Sequence, residues 1–149
     1  MSLPALNLPP AALATRTASG RGEVFDVIRR AWVRLTPEEW VRQHVLALLV
    51  GHRGVPAALV AVEKGFVYNR MARRADVVVY GRDGRARLLV ECKAPRVTLT
   101  TAAFEQVARY NTVVGAGVIL VTNGLAHAVY RPAAEGFAFL PDVPAFGDL

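Results

Sequence analysis

Apolar positions come in short runs whose spacing changes along the chain, and each change marks a new element. The first ten residues carry Pro4, Pro9 and Pro10, which block a helix and imply an extended segment. A strand is expected within Ala11–Ser19, and Gly20-Arg21-Gly22 reads as a turn. Glu23–Ile28 and Ala31–Leu35 alternate as strands do, so this region is expected to form a hairpin or meander. No chemistry is visible in it, and its expected role is to cover a sheet edge or pair with a partner. The period then becomes helical. Thr36 can cap, Pro37 suits the first helical position, and Glu39 completes a capping box. Trp40, Val41, His44, Val45, Leu48 and Leu49 form an apolar stripe to about Val50, and Arg42 and Gln43 fall on another face.

Beyond Gly51–Gly54 the period returns to two. Ala57–Val67 is β-rich and contains Glu63. Strands at Asp76–Tyr80 and Ala86–Cys92 flank an Asp83-Gly84 turn, which signals a hairpin. Pro95 stops the second strand. Thr98–Thr101 offers caps for a helix to about Val113, with Phe104, Val107, Ala108 and Asn111 on one side and Gln106, Arg109 and Tyr110 on another. Gly117–Thr122 is a buried strand reached after a helix, which implies a parallel crossover. Asn123-Gly124 turns the chain into Ala126–Arg131, and Gly136–Leu140 adds a last strand. The expectation is an α/β domain: a mixed central sheet flanked by helices over residues 23–149, preceded by an extended segment or β arm over residues 1–22.

Composition narrows the class. A chain of 149 residues is long enough for one domain with a real core. Its apolar runs fall far short of the roughly 20 residues needed to span a bilayer. The N-terminus lacks the basic region of a signal peptide. One cysteine excludes an internal disulfide and a cysteine-based zinc site. A reducing, cytoplasmic setting is expected. The net charge of +6 suits an anionic partner such as nucleic acid. All but two of the 18 basic residues are arginine, and a GC-rich genome would produce the same bias.

The chemistry lies in Arg74–Pro95. Residues two apart in a strand share a face, so Glu91 and Lys93 project together while Val90 and Cys92 face the other way. If the hairpin pairs, Asp76 comes opposite Glu91. Charges beside V-V-V-Y and L-L-V core strands are costly unless paired or metal-bound. Two readings fit: a salt-bridge cluster at a sheet edge, or a divalent metal site. In the second, Asp76, Glu91 and the Cys92 carbonyl hold Mg²⁺, with Mn²⁺ able to substitute, and Lys93 orients the attacking water or neutralises phosphate charge. Glu63 is expected to reach the metal through water, and Gln106 to orient the nucleophile or Lys93. Arg70, Arg73 and Arg74 are phosphate-contact candidates, joined by Arg109 and Tyr110 on the following helix. The bland readings are packing for the Cys92 thiol and Trp40, structural roles for His44 and His127, and a solvated face or salt bridge for Arg42 and Gln43.

The blocks T-P-E-E-W-V-R-Q-H, A-V-E-K, R-A-D-V-V-V-Y, V-E-C-K-A-P, F-E-Q-V-A-R-Y-N and V-T-N-G-L, in this order, resemble the N-terminal domain of type I restriction enzyme R subunits, in its small stand-alone form. That family belongs to the PD-(D/E)xK nuclease superfamily. The resemblance covers about residues 23–140. It implies a restriction-endonuclease-like fold and Mg²⁺-dependent hydrolysis of DNA phosphodiesters. It places Asp76, Glu91 and Lys93 in the catalytic positions, Glu63 as accessory acid and Gln106 with Tyr110 as the helix motif. It also opens a DNA or active-site role to Arg42 and Gln43. Ala75 stands where the superfamily's name has proline. No G-x-x-x-x-G-K-[ST] loop is present, so the expectation is a cutting module without an ATP site or motor. The competing readings are a non-cleaving DNA-binding or assembly module working with separate motor or specificity subunits, and a structural protein shaped by an ion cluster. A homodimer would suit double-strand cutting.

Overall fold

The computed structural model describes residues 3–149. An N-terminal antiparallel meander of β1 (Thr15–Ala18), β2 (Arg21–Asp26) and β3 (Ala31–Arg34) leads into helix α1 (Pro37–His52). Then follow β4 (Val60–Tyr68), β5 (Met71–Tyr80), β6 (Ala86–Cys92), helix α2 (Thr101–Val114), β7 (Val118–Thr122), β8 (His127–Pro132) and β9 (Phe137–Leu140). Strands β4 to β9 form one six-stranded sheet in sequence order. Only the β6–β7 pair, joined through α2, is parallel. The mixed sheet with helices is the architecture expected from the pattern. Among the described residues no helix is long and apolar enough to cross a membrane.

The apolar runs are near-continuous because both sheet faces are covered. Val77, Val79, Leu88, Val90, Val118 and Leu120 pack with Val41, Val45, Leu48 and Leu49 of α1. Their alternates Val78, Leu89, Ile119, Val121 and Tyr130 pack with Val107 of α2. Thr36 caps α1 as expected, its hydroxyl accepting the Glu39 N–H at 3.0 Å. The Glu39 carboxylate does not return to the cap. It turns instead to Arg29 and Arg42, within the buried interior.

Three expectations are corrected here. First, Arg42 and Gln43 are buried, so the solvated face fails and only the salt-bridge reading holds, for Arg42 with Glu39. The meander packs on the side of α1 away from the sheet, through Phe25, Ile28 and Leu46, so α1 is covered on two sides rather than along one stripe. Second, Trp40 is half-buried rather than core, and its indole N–H ties the Pro4 carbonyl at 2.9 Å. Third, β5 begins at Met71, five residues before Asp76, so Arg73 and Arg74 stand within the strand that carries Asp76 instead of ahead of it. The turn that makes this possible is Asn69-Arg70, closing the Tyr68–Met71 pair with both φ positive, 49° and 64°. That is the primed hairpin turn, in which glycine or asparagine is usual and arginine gives no signal.

Arg70 is therefore held in a left-handed conformation without needing it for packing. Arg70→Gly is expected to stabilise the protein by about 0.5–1 kcal/mol, seen as a higher urea midpoint at unchanged slope.

Candidate active site

Strand β5 pairs on both sides from Val77 to Val79, and its ladder is interrupted at the preceding residue, Asp76. Val62 pairs with Val77 and Lys64 with Ala75, but the intervening Glu63–Asp76 pair is absent from the ladder. On the other side, β5–β6 pairing ends at Val77–Val90. Glu63 itself is left-handed, φ 52°, a costly conformation for a side chain larger than glycine. The break switches faces. Val60, Val62, Val77 and Val79 pack on the α1 side, while Phe66 and Ala75, of the same parity, pack on the α2 side.

At this break the Asp76 carboxylate takes over the ladder's work. Its Oδ2 accepts the Cys92 N–H at 2.7 Å, which fixes the acid against the end of β6. The next peptide is fixed from the opposite side, where the Lys93 N–H donates to the Thr122 carbonyl at 2.8 Å. In a trans peptide C=O and N–H point opposite ways, so the Cys92 carbonyl faces back toward β5 and Asp76. Glu91 and Lys93 share a face, with Nζ 3.3 Å from Oε1. The Cys92 side chain is buried in the α1-side core, where burial pushes its thiol well above the usual range and leaves it a packing group.

The two acids are electrostatically strained. Burial, then the charge of Asp76, pushes Glu91 up to about 7, against the pull of Lys93. Burial likewise raises Asp76, opposed by the Cys92 N–H and the Arg42 guanidinium. The charge of Glu38, in the first turn of α1, adds to both shifts. Two carboxylates and a carbonyl form an oxygen set that suits Mg²⁺ or Mn²⁺. Among the described residues no three His, Cys, Asp or Glu side chains converge as a metal-binding group. An ion bound here would be held by Asp76, Glu91, the Cys92 carbonyl and water.

The remaining expected residues divide into two groups. Glu63 is not brought to the acids: its carboxylate lies 3.7 Å from each of Arg29, Arg42 and Arg74. Gln106 is held within its own helix, bonded to the Tyr110 hydroxyl and accepting from Arg109 at 2.6 Å, with no bond to Lys93. Tyr110 packs edge-on against Phe66 and Tyr68, with the Arg73 guanidinium 5.9 Å from its ring centre. Arg73, Arg74, Tyr110 and Glu91 line one open groove of about 850 Å³ with Gly65, Phe66 and Ala72. Arg70 sits at the hairpin tip. His44 is buried and bonds the Trp40 carbonyl, and His127 bridges Thr122 and Asn7. Sequence reasoning missed Asp26, Arg29 and Glu38, and gave Glu39 a capping role only. The available signal was the spacing of Glu39, Arg42 and Gln43, which sets an acid, an arginine and an amide on one helical face.

A mixed sheet with two flanking helices and an acid–acid–lysine edge opening on a basic groove defines a nuclease-like α/β domain. The sequence matches the family described as type I restriction enzyme R protein N terminus over residues 37–144, and the chain belongs to that family. Its fold is similar to the crystal structure of a DUF820 protein from Anabaena variabilis ATCC 29413, itself assigned as a candidate nuclease. The two share 14% identity with a TM-score of 0.50, over 95% of this chain and 88% of the other. No curated protein matches the chain.

The raised Glu91 sets a pH dependence. A folded pKa of about 7 against an ordinary 4.5 favours the folded state fully below pH 4.5, and this contribution is lost as pH rises through 7. Metal-free wild type is thus expected to lose melting temperature relative to Glu91→Gln between pH 5 and 8. Parallel melting curves across that range would contradict the assignment.

Proposed function

We propose that the chain is a metal-dependent nuclease module that hydrolyses phosphodiester bonds in DNA. The observation that carries this reading is the anchoring of Asp76 on the Cys92 N–H, next in the chain to Glu91, with Lys93 beside Glu91 and with Arg73 and Arg74 along the groove that Glu91 lines. It is the arrangement that the PD-(D/E)xK resemblance implies, and family membership supports it. Asp76, Glu91 and the Cys92 carbonyl would hold Mg²⁺ or Mn²⁺. Once bound, the ion supplies Lewis-acid polarisation of the phosphate and a water of lowered pKa.

The chain's own residues do the rest. Arg73 and Arg74 bind the phosphates on either side of the scissile bond, a fixed-charge role that arginine's planar fork fills well. Tyr110 presents its edge to the groove and its ring to Arg73. The Lys93 ammonium, beside Glu91, offers three donors. It orients the attacking water and offsets the charge that develops on the phosphoryl oxygens. Gly65 and Ala72 leave the groove open, and a Cβ added at Gly65 would meet only the Arg73 carbonyl at 4.0 Å.

A second reading has support in two side chains. Glu63 and Gln106 stand off from the acids, held by arginines and by Tyr110 respectively. A module whose site is completed by a partner subunit, such as a motor or specificity subunit bound to the same DNA, would show this.

In the nuclease reading, purified protein with Mg²⁺ or Mn²⁺ nicks or cuts plasmid DNA, while Asp76→Asn, Glu91→Gln and Lys93→Ala each reduce the rate at least about 100-fold with unchanged circular dichroism. Absence of cleavage by wild type on supercoiled, linear and single-stranded DNA, alongside salt-dependent binding, would favour the partner-dependent reading.

A further inference from the structure

Asp76 has no ladder partner on either side, yet its backbone carbonyl must be satisfied. The group that reaches it is Arg42, whose Nη1 donates to that oxygen at 3.4 Å and lies 3.7 Å from Oδ1 of the same residue. Arg42 is 6% exposed, so it is not a surface arginine bending inward. Its Nη2 lies 3.7 Å from Glu63 and its Nε 3.0 Å from Glu39 Oε2. That Nε forms no aligned hydrogen bond, so the guanidinium is held chiefly by charge and by the two ends of the break.

Glu39 is fixed in turn from the meander. Arg29 donates to its Oε1 at 2.8 Å, and Gln43 to its Oε2 at 3.2 Å. Arg29 is set by Asp26 at 2.7 Å. Asp26 is fully buried, and it also accepts from Gln43 and from the Ile28 and Arg29 N–H groups. Burial works against its ionisation, and these donors outweigh burial to leave the carboxylate charged. The chain Asp26–Arg29–Glu39–Arg42–Asp76 is continuous from the N-terminal sheet to the acid.

We propose that Arg42 is a positioning residue for the site, and that the N-terminal meander holds it in place through Asp26 and Arg29. The guanidinium fork spans the break, gripping Asp76 by carbonyl and carboxylate so that the acid stays turned toward Glu91. The meander is thereby part of the site's support. This inference rests on the nuclease reading.

Sign separates positioning from simple charge. By Coulomb's law alone, removing a cation beside Asp76 tightens divalent metal binding. A positioning role predicts the reverse. Mn²⁺ affinity, measured by calorimetry without DNA, should weaken about 10–100-fold in Arg42→Lys. Lysine keeps the charge and loses the fork. Arg29→Lys should weaken it less and in the same direction. With DNA, kcat should fall while KM holds. Wild-type affinity in Arg42→Lys, or tighter binding in Arg42→Met, would overturn the proposal. If Arg42→Met fails to fold because Glu39 is left unpaired, the double variant Glu39→Gln/Arg42→Met removes both charges and carries the same test. A wild type that binds no Mn²⁺ would overturn the nuclease reading, and this inference with it. A wild type that binds Mn²⁺ while Arg42→Lys matches it would overturn this inference alone.

Discussion

Where β5 passes Asp76 it is hydrogen-bonded as a strand to neither neighbour, and the structure around the site is organised to make that tolerable. Unpaired backbone within a covered sheet costs on the order of 1–3 kcal/mol per group. The cost is offset by a side chain on each side: the Asp76 carboxylate takes the Cys92 N–H, and Arg42 takes the Asp76 carbonyl. The left-handed φ at Glu63 is the other half of the same break. The sheet gives up two rungs, and an acid is freed to stand at its edge.

Electrostatics follow from that geometry. A carboxylate released among core strands meets a second one on β6, and their shared burial raises both. Arg42 and Arg29 stand on the α1 side of the break, Arg74 reaches Glu63 from the groove, and Lys93 lies beside Glu91. Replacing such a buried network by apolar residues is often neutral for stability. Here the network runs from the N-terminal meander through Arg29, Glu39 and Arg42 to Asp76. The β4–β5 hairpin, carried past the break, curls onto α2 through Phe66, Tyr68 and Tyr110 and forms the wall of the basic groove.

Much of the frame was legible locally. The Thr36-Pro37 start, the V-V-V and L-L-V strands and the crossover at Val118–Thr122 each rest on spacing and turn chemistry within about ten residues. The pairing of Glu91 with Lys93 followed from the two-residue period alone. The meander was legible as strands, but its contribution was not. Nothing near Asp26 or Arg29 in sequence signals that they support a residue fifty positions on. Arg42 and Gln43 read as polar surface because amphipathic patterning assumes one covered face, and α1 has two.

The sequence by itself determined the order of elements, the mixed sheet and the three residues Asp76, Glu91 and Lys93 as the place to look, because periodicity and turn residues act over short range. Only the tertiary structure decided which charges share a site. It turned Glu63 away to the arginines, kept Gln106 within its own helix, began β5 five residues early and brought Arg42 to Asp76. Those outcomes depend on where the ladder breaks and on what packs behind α1. Both are set by contacts between segments far apart in the chain, which no local pattern records.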